Sequence, residues 1–433
     1  MAIAERCLLY MRISIVGGKP RNGDISISGM KNDALPILFA TILIDGVCII
    51  ENIPNISDVE NTLLILTEAG AKITKLGSGI LKIDTRNIDP DIVVNEELMR
   101  TMRASYYLLG ACLGRFGKAS GYTSGGCSLG TRPINYHLSG FEALGATTEY
   151  TNNIIKITTK QPLVGETIDA HSSVGTTMNV AMAAVKAQGV TTIVNAAREP
   201  HVVDFANFLN VCGADIVGAG TSTIKIRGVD SLHAPVQPYT VIPDMIEAGT
   251  FMCAAGTVDG SKITVKNVIP KHMESTVLTL KKMGLSITEE GESITVERNG
   301  PLKGTTVVTA YYPGFPTDMH PQVMVLLALA GSGSVKETIW DGRCKYIDEL
   351  AKMNAHIEKV YGDLFVVKET SGLVGAEVDA VDLRGGAAMV LAGLAASGVT
   401  IIRKVDYILR GYDDIVKKLE QVGAEICWQN VEE

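Results

Sequence analysis

The chain has 433 residues, of which 46% are apolar and 20% charged, with a formal net charge of −8. That length exceeds one ordinary core and suits two domains, and the apolar share excludes a disordered chain. The acidic balance argues against non-specific binding to nucleic acid, so an anionic ligand would need a local basic pocket.

Residues 1–10 carry only the short apolar stretch Cys7-Leu8-Leu9-Tyr10, too short for a membrane span or a signal peptide. From Lys31 onward a sixfold pattern organises the chain. Each unit opens with a helix rich in small apolar residues, passes a Gly turn and enters a β-branched strand. The first reads KNDALPILFATILIDGVCIIEN from Lys31, the second MRASYYLLGACLGRFGKASGY from Met102, and the third SVGTTMNVAMAAVKAQGVTTIVN from Ser173. PDMIEAGTFMCAAGTVDGSKITVKN follows from Pro243, TDMHPQVMVLLALAGSGSVKETI from Thr317 and LRGGAAMVLAGLAASGVTIIRKV from Leu383.

After most of these strands comes a second helix ending in Gly-Ala and then another strand, as in VENTLLILTEAGAKI, VVDFANFLNVCGADI and YDDIVKKLEQVGAEI. The Gly falls where a left-handed residue is needed past the helix end. The first helices are apolar nearly all round and must be surrounded by other structure. The second are amphipathic, with Asp413, Asp414, Lys417 and Lys418 on a charged face. The expected fold is α/β, six repeated units with helices inside and sheets outside, three per domain. Pro235, Pro238 and Pro243 mark the crossing. The expected domains are residues 31–242, and 11–30 together with 243–433.

Eight cysteines lie at irregular spacing with no C-x-x-C pair, and Cys48, Cys112 and Cys253 sit in apolar runs as buried thiols, which implies a cytoplasmic location. No H-E-x-x-H or Cys/His spacing calls for a metal. Neither a G-x-x-x-x-G-K-[ST] loop nor a strand-linked G-x-G-x-x-G supports nucleotide hydrolysis or hydride transfer. The segment GYTSGGCSLGTRPINYH places Cys127 among Gly125, Gly126 and Gly130, a loop that exposes the thiol, with Arg132 near enough to favour the thiolate. Four helix starts carry polar residues that a buried helix does not require: Lys31-Asn32, Ser173-Val174-Gly175, Thr317-Asp318 and Asp382-Leu383-Arg384. Such ends suit anions, although capping alone would explain Thr317 and Asp318. Lys31 and Arg384 oppose the helix dipole, which points to an anion beside each. Arg410, read as opening the final helix, is another off-pattern cation. His137 and His320 are candidate polar site residues, or ordinary surface histidines.

Taken together, GGCSLGTRP, SGMKNDALPIL, NAAREPHVVDFANFL, PTDMHPQ, DLRGGAAMVLAG and RGYDDI resemble the signature segments of UDP-N-acetylglucosamine enolpyruvyl transferases, in the same order from about Met11 to the end. By that resemblance residues 1–10 look like an N-terminal extension or an upstream start. The resemblance implies a two-domain inside-out α/β barrel. It also implies a transferase that moves the enolpyruvyl group of phosphoenolpyruvate to the 3′-hydroxyl of UDP-N-acetylglucosamine, without metal or organic cofactor, to begin peptidoglycan precursor synthesis. By resemblance Lys31, Arg132 and Arg410 hold the phosphate and carboxylate of phosphoenolpyruvate, with Arg103 and Arg384 close by. Cys127 is the candidate acid and the thiol that adds to phosphoenolpyruvate and to fosfomycin, Asp318 takes the hydroxyl proton, and Asn32 binds the sugar. Arg132, Pro133, Ile134, Asn135 and Tyr136 line the uridine, Ser173, Val174 and Gly175 the diphosphate, and Ile339 is a further substrate-binding position.

Four positions depart from the family pattern: Ser124 where a proline is usual, Asn135 for Asp, His171 for Lys and Met245 for Arg. They leave two alternatives open, an enolpyruvyl transferase for another uridine nucleotide and a catalytically silent nucleotide-binding paralogue.

Overall fold

A computed structural model describes residues 11–122 and 134–430. The described residues fall into two compact units, 29–122 with 134–242, and 11–28 with 243–430. No described helix is long and apolar enough to cross a membrane.

All six helix–strand pairs are present. Their helices are Lys31–Ala40, Tyr107–Phe116, Val174–Ala184, Met245–Gly256, His320–Ala330 and Leu383–Ala395. They are buried almost all round: Thr176 to Ala184, Ile246 to Gly256 and Arg384 to Leu394 are buried without interruption. Short side chains let these helices approach one another closely. A Cβ on Gly110 would lie 2.1 Å from Asn179 Oδ1 and 2.4 Å from its carbonyl oxygen. Gly110→Ala should therefore lower stability by about 1–3 kcal/mol through overpacking. Urea denaturation checks this, and an unchanged midpoint would mean that the approach is not tight.

The strand that follows each helix enters a small sheet. Among the described residues there are six sheets, five of four strands and one of three. In every four-stranded sheet that strand has one parallel and one antiparallel neighbour. For example, Val47–Glu51 lies between Tyr239–Thr240 (parallel) and Ile80–Asp84 (antiparallel), with Lys72–Gly77 at the edge. Side chains alternate between buried and exposed, as along Val399–Arg403 and Lys262–Lys266, so one face of each sheet covers apolar side chains. In most repeats two strands were not read from the sequence, the antiparallel neighbour and the short parallel strand; among the described residues the three-stranded sheet has only antiparallel pairs.

The N-terminal strands belong with the C-terminal repeats. Met11–Val16 sits between Val399–Arg403 and Glu425–Asn430, and Asn22–Ser26 runs parallel to Lys262–Lys266. Arginines, Arg21 buried and Arg115 and Arg298 half-buried, close several helix C-termini, where carbonyls lack helical donors. Arg21 donates to the Leu394 carbonyl and the Thr257 hydroxyl, Arg298 to the Gly256 and Thr257 carbonyls, and Arg115 to the Ile42 carbonyl. Gly70, Gly213 and Gly423 take the left-handed conformation expected past the second helices.

Candidate functional site

Cys127, Arg132 and Pro133 lie outside the described residues, as does Ser124. The other expected site residues fall into two groups, one in each unit.

In unit 29–242, Lys31 opens its helix, largely buried, and its Nζ lies 2.7 Å from the Asp58 carboxylate. The anion inferred from its opposition to the dipole is thus at least partly internal: Asp58, in the first turn of helix Ser57–Glu68. Half-buried Asn32 follows it. Pro36 stands four residues further on and has no N–H, so it offers the Asn32 carbonyl no helical donor.

The nucleotide-side residues come together on two adjacent helix starts. Buried Ile134 leads into helix Asn135–Ala143, whose first residues Asn135 and Tyr136 are exposed. Ser173 caps the neighbouring helix by accepting from the Thr176 N–H at 3.2 Å, and Val174 and Gly175 follow. The two starts meet at Gly175, where a Cβ would lie 3.1 Å from the His137 ring. They meet again where the Tyr136 ring stacks on His171, centroids 4.1 Å apart. His171 and Ser172 both have positive φ (49° and 56°), the turn being held by the His171 N–H donating to Asp169 at 2.7 Å. His137 is not a surface histidine. It is buried against Asn179, and burial first, then Arg103, push its pKa down to about 3, so the imidazole is neutral. Arg103 lies over the Tyr106 ring at 5.8 Å, beside this pair.

In the other unit, Asp318 lies in the turn Thr317–Met319, ahead of helix His320–Ala330 and without a capping bond. Its carboxylate is clamped: Arg343 Nη2 lies 2.9 Å from one oxygen, and Arg384 Nη2 and Nε lie 3.0 and 3.1 Å from the other. Both arginine side chains are 3% exposed, whereas Asp318 keeps 28%. Burial alone would raise the Asp318 pKa, but the two guanidinium groups outweigh it and hold the carboxyl well below its usual range. Arg384, in the first turn of a helix capped by Asp382, thus has Asp318 as its anion. Burial disfavours its charge, while Tyr412 and Asp318 restore it, and it stacks over the Tyr412 ring at 5.4 Å. Arg343, which the sequence reading missed, has no short-range signature.

Arg410 does not open the final helix. It ends helix Asp406–Leu409, two residues before Tyr412, whose hydroxyl accepts from Gln322 at 3.2 Å and lies 3.0 Å from the Thr250 hydroxyl. The final helix, Ile415–Gln421, is capped by Asp414, so Asp413 and Asp414 precede the helix and are not part of its charged face. His320 is fully buried, its Nδ1 3.1 Å from Glu337, and burial lowers its pKa against the pull of that carboxylate. Ile339 is half-buried, and its N–H donates to Glu337 at 2.8 Å.

Residues 15–419 match the family model described as EPSP synthase (3-phosphoshikimate 1-carboxyvinyltransferase). A UDP-N-acetylglucosamine 1-carboxyvinyltransferase of Clostridium botulinum is 48% identical, over 96% of this chain and 99% of its own length. UDP-N-acetylglucosamine 1-carboxyvinyltransferase 1 of Staphylococcus haemolyticus is 46% identical, over 97% and 99%. Among solved structures, the enolpyruvyl transferase NikO of Streptomyces tendae superposes with a TM-score of 0.87 at 27% identity, covering 98% of this chain and 100% of that one.

Proposed function

The chain belongs to the EPSP synthase family of carboxyvinyltransferases, and we propose that it transfers the enolpyruvyl group of phosphoenolpyruvate to the 3′-hydroxyl of UDP-N-acetylglucosamine, releasing phosphate. This is the entry step of peptidoglycan precursor synthesis. The observation that carries the reading is the partly exposed Asp318 carboxylate, kept anionic by Arg343 and Arg384.

In this mechanism the sugar oxygen bonds to C2 of phosphoenolpyruvate as its proton passes to Asp318 and C3 gains a proton, giving a tetrahedral ketal. C3 then loses a proton, the C2–O bond to phosphate breaks, and the enol ether and phosphate leave. Addition and elimination need an acid and a base on different faces of the substrate. Cys127 is proposed as the acid. Lys31, Arg132 and Arg410, with Arg103 near, are proposed to neutralise phosphate and carboxylate, and Asn32 to bind the sugar. Ile134, Asn135, Tyr136, Ser173, Val174 and Gly175 are proposed to take the nucleotide, supported by the meeting of their two helix starts.

We further infer that within each unit three repeats close as an inside-out α/β barrel, a reading supported by helices buried nearly all round. The expected domains, 31–242 and 11–30 with 243–433, are proposed as the working parts, and the division of the described residues at 28/29 and 242/243 supports them. Buried free thiols at Cys48, Cys112, Cys212 and Cys253 support a cytoplasmic location.

The test is phosphate release from phosphoenolpyruvate, with mass analysis of the nucleotide. Release that requires UDP-N-acetylglucosamine and converts it to its enolpyruvyl ether is expected. Release that ignores it, or no turnover with it, would refute the reading. The Tyr136–His171 stack, at a position where relatives often carry Lys, favours a second reading with another uridine nucleotide as acceptor. A panel of such nucleotides compared by kcat/KM decides between the two.

A further inference from the structure

Glu337 is buried, 4% exposed, and is not among the expected site residues, yet its carboxylate collects five donors. On one oxygen are the Thr309 hydroxyl at 2.8 Å and the N–H groups of Ile339 and Trp340 at 2.8 and 3.2 Å. On the other are the Thr317 hydroxyl at 2.8 Å and His320 Nδ1 at 3.1 Å. A buried carboxylate with this many donors is fixed in place, because each donor it released would be left unsatisfied. The Thr317 hydroxyl donates to Glu337 and in turn accepts from Arg343 Nη1 at 2.8 Å. Arg343 Nη2 holds Asp318. A continuous chain of bonds therefore runs from Glu337 through Thr317 and Arg343 to Asp318. A second branch fixes the backbone of Ile339.

We propose that Glu337 is a positioning residue for the reaction, setting through Thr317 and Arg343 the orientation of the Asp318 carboxylate. The inference rests on the proposed role of Asp318 as proton acceptor. His320 cannot substitute for Glu337. Its remaining nitrogen, Nε2, is buried without a hydrogen-bond partner among the described residues, so it serves as a neutral prop for the carboxylate. The charged groups around the chain are Arg343, Arg384 and Asp318, with Asp363 near His320.

The conservative variant Glu337→Gln keeps the shape, but whichever way the amide faces, its NH2 meets donors instead of serving as an acceptor. With Arg343 loosened, the Asp318 carboxylate loses both alignment and part of its stabilising charge. The expected result is a kcat lower by about 100-fold, the scale of a displacement of about 1 Å. KM for both substrates should change less than kcat. The acid limb of the pH profile of kcat/KM should also move to higher pH, since a less stabilised carboxylate protonates earlier. Thr317→Val, which leaves Glu337 in place and cuts its link to Arg343, should shift the limb in the same direction, and Thr317→Ser should restore it. Thr317→Val also serves where Glu337→Gln fails to fold. A folded variant that loses rate with an unmoved acid limb would reduce Glu337 to a structural role and overturn the proposal, as would full activity. Failure of the underlying reading is recognised separately, by Asp318→Asn retaining wild-type turnover.

Discussion

Replacement of Asp318 by asparagine is expected to lower kcat/KM by about 10²–10⁴-fold, the usual range for removing a group that takes a proton in the transition state. The substitution is nearly isosteric, so Arg343 and Arg384 keep something to face, but an amide cannot accept the hydroxyl proton. It also leaves two guanidinium groups, each 3% exposed, without their counter-ion. Breaking a fully buried pair costs about 3–5 kcal/mol, and the 28% exposure of Asp318 places the expected loss of stability at or below the lower end. Because the folded pKa of Asp318 is depressed, its contribution to stability is present above the unfolded carboxylate pKa of about 4 and is lost as pH falls through the folded value. The variant and the parent should therefore converge in stability under acid conditions. Steady-state phosphate release and denaturation across pH measure both effects. Turnover within tenfold of wild type would remove Asp318 from the proposed proton transfer.

The repeats were legible because they are written in local patterns. Helices with Ala and Gly on every side, such as Leu383–Ala395, announce burial, and Gly70 or Gly213 announces where a helix stops. Ser173 and Asp382 were readable as helix starts because a short polar side chain immediately before an apolar run has few other uses. Strands of three residues, such as Thr167–Asp169 and Glu377–Asp379, are too short to display an alternation and passed unread. The site shows the same limit at longer range. Lys31 and Arg384 stood out as cations at the wrong end of a helix, but nothing local reveals that Asp58 and Asp318 are their partners. Arg343 and Glu337 sit in an unremarkable stretch, KETIWDGR, and gain their meaning only when the chain brings the Thr317 turn against them. A buried glutamate at a strand end was the available signal, and burial is what one sequence does not display.

Replacement of Asp33 by asparagine should raise stability at neutral and alkaline pH. Asp33 is fully buried in the first turn of helix Lys31–Ala40, and among the described residues its only hydrogen bond to a donor is a long one, 3.4 Å from the Ile242 N–H. Among the described residues its Oδ1 has no donor, and neither has Oδ2 of Asp204, whose Oδ1 accepts from the Tyr239 hydroxyl at 2.9 Å. The two acids face each other within hydrogen-bonding reach, and one proton shared between them satisfies both. Burial first, then the Asp204 charge, push the Asp33 pKa well above the usual carboxylate range. A raised folded pKa gives a contribution that is fully present below the unfolded value, about 4, and declines as pH rises toward the folded one, at about 1.4 kcal/mol per unit. Asparagine carries its two N–H donors at every pH, so it can donate permanently where Asp33 needs a bound proton. The gain should be about 1–3 kcal/mol near pH 8, shrink toward pH 5 and vanish or reverse near pH 4. Denaturant midpoints at those three pH values decide the matter. A variant less stable at pH 8, or a difference that does not change with pH, would mean that the two carboxyl groups share no proton and that Asp33 is stabilised by other contacts.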